Sequence, residues 1–141
     1  MKKNKVLIVI TVILLVGAAG LLIYDKLGLG KKEAASEEQS IDDVIKLSVD
    51  MGEIATNLLD NRYVKISFMV ETSSKDAKEE LEKRKFQVQN IIITELSDMK
   101  SPQLEGKEGK QSFEEAVKSQ INEIMQEGEV VKVYITSYII S

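Results

Sequence analysis

The sequence has 141 residues, a formal net charge of −4, and neither cysteine nor histidine. Without cysteine there is no disulfide framework and no thiol nucleophile, and without histidine the commonest general base and metal ligand are missing. This composition argues against most hydrolytic and zinc enzymes, and the length predicts one folded domain of roughly 100 residues behind an apolar N-terminus.

The N-terminus reads MKKNK and then continues as an uncharged run of about 18 residues, which as a helix covers about 27 Å, close to the hydrocarbon thickness of a bilayer. A cleavable signal peptide is the alternative, but its apolar core normally ends after roughly 7 to 15 residues, whereas this run continues to Ile23. We therefore predict a retained transmembrane helix over residues 6–24, after a tail over residues 1–5. The predicted anchor side chains are Val6, Leu7, Ile8, Val9, Ile10, Val12, Ile13, Leu14, Leu15, Val16, Leu21, Leu22 and Ile23.

Lysines flank the run on both sides, but a very short basic tail is normally kept inside. We expect a cytoplasmic tail and an extracytoplasmic domain over residues 41–141. The polar stretch over residues 25–40 predicts a linker of about 16 residues, which spans roughly 20 to 25 Å if it is flexible. All 23 acidic residues but only 16 of the 19 basic ones follow the run. An acidic domain without a basic stripe favours protein partners over nucleic acid.

The first half of the predicted domain begins with a short helix over residues 41–47, capped by Ser40. Residues 52–58 look extended, and Asp60-Asn61 is typical of a turn. The next stretch, RYVKISFMVE over residues 62–71, alternates apolar and polar residues and predicts a half-buried strand. Its inward side chains would be Val64, Ile66, Phe68 and Val70.

The second half predicts one long helix from about Ser74 to Asp98, then a loop over residues 100–111. The apolar stripe of the helix is Ala77, Leu81, Val88, Ile92, Leu96 and Met99. A second helix should begin with a capping box, Ser112 as N-cap and Glu115 at N3, and end at Gly128 as the C′ residue. Its apolar face would be Phe113, Val117, Ile121 and Ile124.

The last stretch, VVKVYITSYIIS, predicts a strand beside RYVKISFMVE rather than a frayed tail. Strict alternation would send Val131, Val133, Ile135, Ser137 and Ile139 to one face and the intervening residues to the other. Both faces then carry large side chains. One face would pack on the helices and the other is available to a partner, such as another copy of the chain.

No set of residues in this sequence predicts catalysis, cofactor binding or a metal site. The acidic clusters lie near predicted helix starts, where they complement the helix dipole and cap N–H groups. The hydroxyls of Ser67, Thr136 and Ser137 lie on predicted strands without a base to activate them.

The order of these elements resembles the flagellar basal-body-associated FliL family. The matching features are a basic tail, one span, a polar linker, Asn57-Leu58 before RYVKISFMVE, a helix ending IIITELS, and the terminal VKVYITSYIIS. Ile135 stands where the family usually has Phe, and the last five residues replace an ending often richer in acid, Phe and Gln. These departures change the volume of a side chain and the edge of the predicted sheet, so they bear on contacts with a partner.

The resemblance implies an α+β domain of mixed strands and helices, similar to the stomatin/prohibitin type, behind a single transmembrane helix. It implies a non-enzymatic, ring-forming protein that supports stator recruitment or activity in swimming, swarming and chemotaxis, with stator and basal-body membrane proteins as partners. The residues carried over to the strand framework are Asn57, Leu58, Tyr63, Val133 and Tyr134. Lys107 and Lys110 in the predicted loop are candidate contacts.

A second interpretation is a membrane-tethered ligand-binding or sensory module of the cell envelope. Such a module needs a concave apolar pocket with a few convergent polar groups, which a sequence does not reveal. Motility after deletion of the gene separates the two interpretations.

Overall fold

The computed structural model describes residues 39–141. The predicted tail, the anchor and residues 25–38 of the predicted linker lie outside the described residues. In residues 39–141 no helix is both long and apolar enough to cross a bilayer. The elements in chain order are α1 (Ile41–Leu47), β1 (Ser48–Asn57), β2 (Tyr63–Thr72), α2 (Lys75–Lys83), α3 (Lys85–Ser97), α4 (Ser101–Leu104), α5 (Gly106–Ile124) and β3 (Val130–Ile140).

The described residues form an α+β domain around a three-stranded antiparallel sheet in the order β1-β2-β3. Alternation along β2 places four apolar side chains on the helix-covered face, and this prediction is confirmed: Val64, Ile66, Phe68 and Val70 are buried. They join one core with the inward side chains of α2, α3 and α5. The rings of Phe68 and Phe113 anchor that core, with centroids 5.8 Å apart.

The predicted closing strand is confirmed as β3, paired along its length with β2, but its predicted faces are partly wrong. Two register shifts break the alternation, one between Ser67 and Phe68 and one between Glu71 and Thr72. Each bulge adds a residue on one strand and reverses the side-chain phase beyond it. Val133 and Ile135 still face the core, but Val131 and Ile139 are exposed, and Val130 is buried instead.

The predicted long helix is interrupted at Arg84, so it forms two helices, α2 and α3. Its predicted stripe is nevertheless buried, from Ala77 and Leu81 to Val88, Ile92 and Leu96. The segment between Leu81 and Val88 contributes no buried side chain, so packing does not hold it in one continuous helix. Arg84 has φ −90° and ψ 7°, and ends α2 while beginning α3.

The predicted loop over residues 100–111 is wrong, since most of it is helical. Pro102 lies in the first turn of α4, where a missing N–H costs nothing. The backbone N–H and the hydroxyl of Ser101 donate to Asp60 Oδ2 at 2.9 and 2.6 Å, which ties α4 to the β1–β2 turn. Helix α5 then begins at Gly106, so Ser112 lies inside the helix and is not its N-cap.

Two glycines lie where a Cβ atom would meet neighbouring atoms at less than contact distance. A Cβ on Gly109 would lie 2.3 Å from the carbonyl oxygen of Gln103, so α4 packs tightly against α5 only with glycine there. Gly128 was predicted as the C′ residue of the second helix, which is wrong because α5 ends at Ile124. Gly128 has φ +70°, and a Cβ there would lie 2.6 Å from Ser73 Oγ.

Helix α1 is confirmed with Ser40 as its N-cap, and none of its residues is buried. It lies against the face of the sheet opposite the core, because it borders Met69, which falls between the inward residues Phe68 and Val70. Two hydrogen bonds fix its end: Thr72 Oγ1 donates to the Leu47 carbonyl at 2.6 Å, and Lys78 Nζ donates to the Lys46 carbonyl at 2.9 Å.

Candidate interaction surfaces

Three of the predicted framework residues close the end of the sheet. Asn57 pairs with Tyr63 across β1 and β2, and Leu58 is buried in the core. Tyr63 exchanges two backbone hydrogen bonds with Ser141, at 3.1 and 2.9 Å. Their contacts are those of a structural framework, since they join all three strands at one end.

The other two framework residues lie on β3 and point to opposite faces. Val133 is buried opposite Val70. Tyr134 lies on the outer face and its hydroxyl donates to Glu71 Oε2 at 2.7 Å. Because this bond to a carboxylate favours the protonated phenol, and burial adds to it, the pKa of Tyr134 is raised to about 12.

The predicted contact lysines lie in the first turns of α5 rather than in a loop. Lys107 is exposed. Lys110 Nζ lies 4.1 Å from the ring centroid of Tyr138 on β3, a cation–π contact. The two lysines are therefore different: Lys107 is free to meet a partner, and Lys110 also ties α5 to the last strand.

A groove of about 450 Å³ lies on the outer face of the sheet, between α1 and β3. Val44, Ile45 and Met69 supply its apolar side chains, and residues 134–136 of β3 form its other side. Ile45 is 64% exposed. The groove lies on the face of the sheet that the large helices leave uncovered, as expected for a surface where another protein docks.

A larger groove of about 690 Å³ lies at the break between α2 and α3. Glu80 and Arg84 form an ion pair there at 2.6 Å, and the Glu80 carboxylate also accepts from the backbone N–H groups of Gln126 and Glu127. The N–H of Glu127, followed by that of Gln126 and by Arg84, lowers the pKa of Glu80 despite an opposing effect of burial. The two residues are four apart, the spacing at which side chains of a helix form ion pairs.

Sequence reasoning did not single out Phe86, which lies at the edge of this groove and is 70% exposed. The available signal was its position outside the apolar stripe. It falls between Leu81 and Val88 in a run of charged residues.

Within residues 39–141, no three acidic side chains converge closely enough to hold a metal ion. The two grooves offer a partner apolar contact and charge.

Comparison with known proteins identifies the family. The family described as "Flagellar basal body-associated protein FliL" matches residues 48–140, from the first residue of β1 to the last residue of β3. The chain is also 45% identical over 122 residues to a protein named "Flagellar protein FliL" from Bacillus subtilis (strain 168), and the alignment covers 86% of each chain. The resemblance seen in the sequence is confirmed, and the chain belongs to the FliL family of flagellar basal body-associated proteins.

Proposed function

We propose that this chain is a single-pass membrane protein of the flagellar basal body that supports the recruitment or activity of the motor's stator units without catalysis. The observation that carries the proposal is the family match, which spans the sheet and all helices except α1. In this proposal the run from Val6 to Ile23 anchors the chain, the N-terminus lies inside the cell, and the described domain works outside, close to the membrane.

We further propose that copies of the domain assemble side by side into a ring around the stator, as a stomatin/prohibitin-like domain does. Two features of the described residues support self-association. Strands β1 and β3 are both edges of the sheet, and Ile139 on β3 is 60% exposed. An edge strand with apolar side chains is a template for pairing with another chain.

Deletion of the gene tests the proposal. We expect flagella in normal number but reduced swimming and swarming, together with fewer fluorescently labelled stator units at the flagellar base. The full-length gene supplied in trans should restore all three readouts. Normal motility with normal stator localisation in the deletion strain would refute the proposal and would favour the envelope-module interpretation.

The two lysines of α5 provide a finer test. We expect Lys107→Glu to reduce swarming without reducing the amount of protein, because the exposed lysine would meet a partner directly. Lys110→Glu should also weaken the contact with Tyr138, so it should lower thermal stability as well as swarming. If both variants swarm like the parent strain, the assignment of this surface to a partner is wrong.

A further inference from the structure

The side chain of Phe86 is 70% exposed in the first turn of α3. The core does not need it there, since the buried residues of α2 and α3 are Ala77, Leu81, Val88, Ile92 and Leu96. A single exposed apolar side chain is common on protein surfaces. What distinguishes Phe86 is that it borders a groove on each side, and that the two grooves differ in chemistry.

The groove on one side of Phe86 is acidic. Arg84 is neutralised by its ion pair with Glu80, and the Glu80 carboxylate also accepts hydrogen bonds from the backbone N–H groups of Gln126 and Glu127. The remaining charged groups of the lining are Asp76, Glu79 and Glu127 against Lys83, and none of them forms an ion pair among residues 39–141. The exposed ring therefore lies beside three carboxylates and one ammonium group.

The groove on the other side of Phe86 is smaller, about 500 Å³, and contains aliphatic side chains. It is formed by the first half of α3 and the end of α5, where Ile91 and Ile124 line it together with Asn90. Both isoleucines are only partly buried, so an apolar side chain from outside would remove more of their surface from water.

An aromatic face beside carboxylates is a recognition site for a cationic side chain. A guanidinium or ammonium group is attracted to the ring face, and the same group can donate charge-assisted hydrogen bonds to the carboxylates. Arginine suits such a site best, because its planar group stacks on the ring while its edge donates to oxygen. A neutral or acidic segment would gain only the apolar contact.

We propose that the surface around Phe86 docks a cationic segment of a stator subunit's extracytoplasmic part, with an arginine or lysine on the Phe86 ring and an apolar residue in the aliphatic groove. The choice of the stator as the partner rests on the function proposed above. The requirement for a cationic segment rests on the described residues alone.

The acidic groove is fixed in shape before a partner arrives. The Glu80 carboxylate holds the backbone of Gln126 and Glu127 at 2.6 to 3.0 Å, and Arg84 Nη1 donates to Gln87 Oε1 at 2.9 Å. These bonds join the end of α2, the start of α3 and the segment after α5. Such a site binds without first having to order its own walls, and this lowers the cost of association.

Co-purification of the stator with the full-length chain from membranes tests the proposal. We expect Phe86→Ala to reduce the recovered stator at least about tenfold, as for an aromatic residue at the centre of an interface. Glu79→Lys should reduce it as well, and the parent complex should weaken as salt is raised. The matched controls are Leu59→Ala, another exposed apolar residue, and Asp98→Lys, another exposed acid; both should recover the stator like the parent.

The possible outcomes separate the docking site from the proposed function. If the parent chain recovers the stator and Phe86→Ala recovers it equally, the docking site is refuted and the proposed function stands. If the parent chain recovers no stator, both are refuted. Equal losses in Glu79→Lys and Asp98→Lys would mean that overall charge and not this groove attracts the stator, which also overturns the proposal. Unchanged melting temperatures of the variants exclude misfolding as the cause.

Discussion

Gly109 offers a quantitative test of how α4 packs against α5. In an open helix Gly→Ala stabilises by up to about 1 kcal/mol, because alanine loses less backbone entropy. Here the new methyl group would lie 2.3 Å from the Gln103 carbonyl oxygen, 3.1 Å from the Gln103 carbonyl carbon and 3.2 Å from that of Leu104. All three atoms are backbone, so relief requires α4 to move. Overpacking of this kind costs about 1 to 3 kcal/mol, and it also disturbs Leu104, which is fully buried.

We therefore expect Gly109→Ala to destabilise the domain by about 1 to 2 kcal/mol, which lowers Tm by roughly 5 to 15 °C for a domain of this size. Thermal and urea unfolding of the segment 39–141, which forms a compact unit of its own, measures this. Ser112→Ala is the matched control, because Ser112 is exposed in the interior of α5. It should be neutral or slightly stabilising, whereas loss of an N-cap would cost about 1 kcal/mol. A Gly109→Ala variant as stable as the parent would refute the packing argument.

Three further changes have expected outcomes. Removal of Ser137–Ser141 takes away the backbone hydrogen bonds between Tyr63 and Ser141 and uncovers Val64, which pairs with Ile140. The truncated segment should therefore lose cooperative thermal unfolding. A cooperative transition at the Tm of the parent would contradict this. Asp60→Asn removes a carboxylate whose pKa is lowered first by the Ser101 hydroxyl and then by its N–H. The stability that this carboxylate contributes is present above pH about 4 and is lost as the pH falls through its folded pKa. In urea unfolding, the stability deficit of the variant should therefore shrink between pH 7 and pH 3. A deficit that stays constant would count against the charge-assisted hydrogen bonds between Ser101 and Asp60. Tyr134→Phe removes a phenol whose pKa is raised to about 12 by Glu71. The stability that the bond from this phenol to Glu71 contributes is complete below pH about 10 and is lost toward pH 12. In an absorbance titration, the variant should lack the tyrosine that ionises at the highest pH. An unchanged titration would show that Tyr134 is not that tyrosine.

Periodicity predicted most of the core, and it failed where backbone geometry changes the phase. The stripes of β2, α2, α3 and α5 were correct because a buried face demands apolar residues at fixed intervals. The alternation predicted for β3 was partly wrong, since a bulge adds one residue to a strand and the sequence pattern does not show where. Pro102 cannot continue the helix before it and so predicts a loop after Lys100, whereas the structure has two helices there. Proline is also favourable in the first turn of a helix, and Gly109 is needed for packing rather than for a turn.

The candidate surfaces were less predictable than the fold. The structure gives the five predicted framework residues packing and pairing roles at two separate places on the sheet. Lys107 and Lys110 were selected as loop residues and lie on a helix. Phe86 lies outside every apolar stripe of the sequence, so periodicity predicts no role for it. An exposed aromatic side chain is informative for the opposite reason, and its exposure is known only when its neighbours have been placed.

The attachment of α1 has a mechanical consequence. A pull applied to the chain before residue 39 would be carried first by α1 and by the bonds from Thr72 and Lys78 that fix its end. Beyond them the load reaches β1, an edge strand whose first pair is Ser48 with Glu71. From that end the strand would peel away from β2 one hydrogen bond at a time, which resists less force than shearing all of them together. The two bonds at the end of α1 therefore pass tension to the central strand β2 and to α2 before the edge strand β1 is loaded.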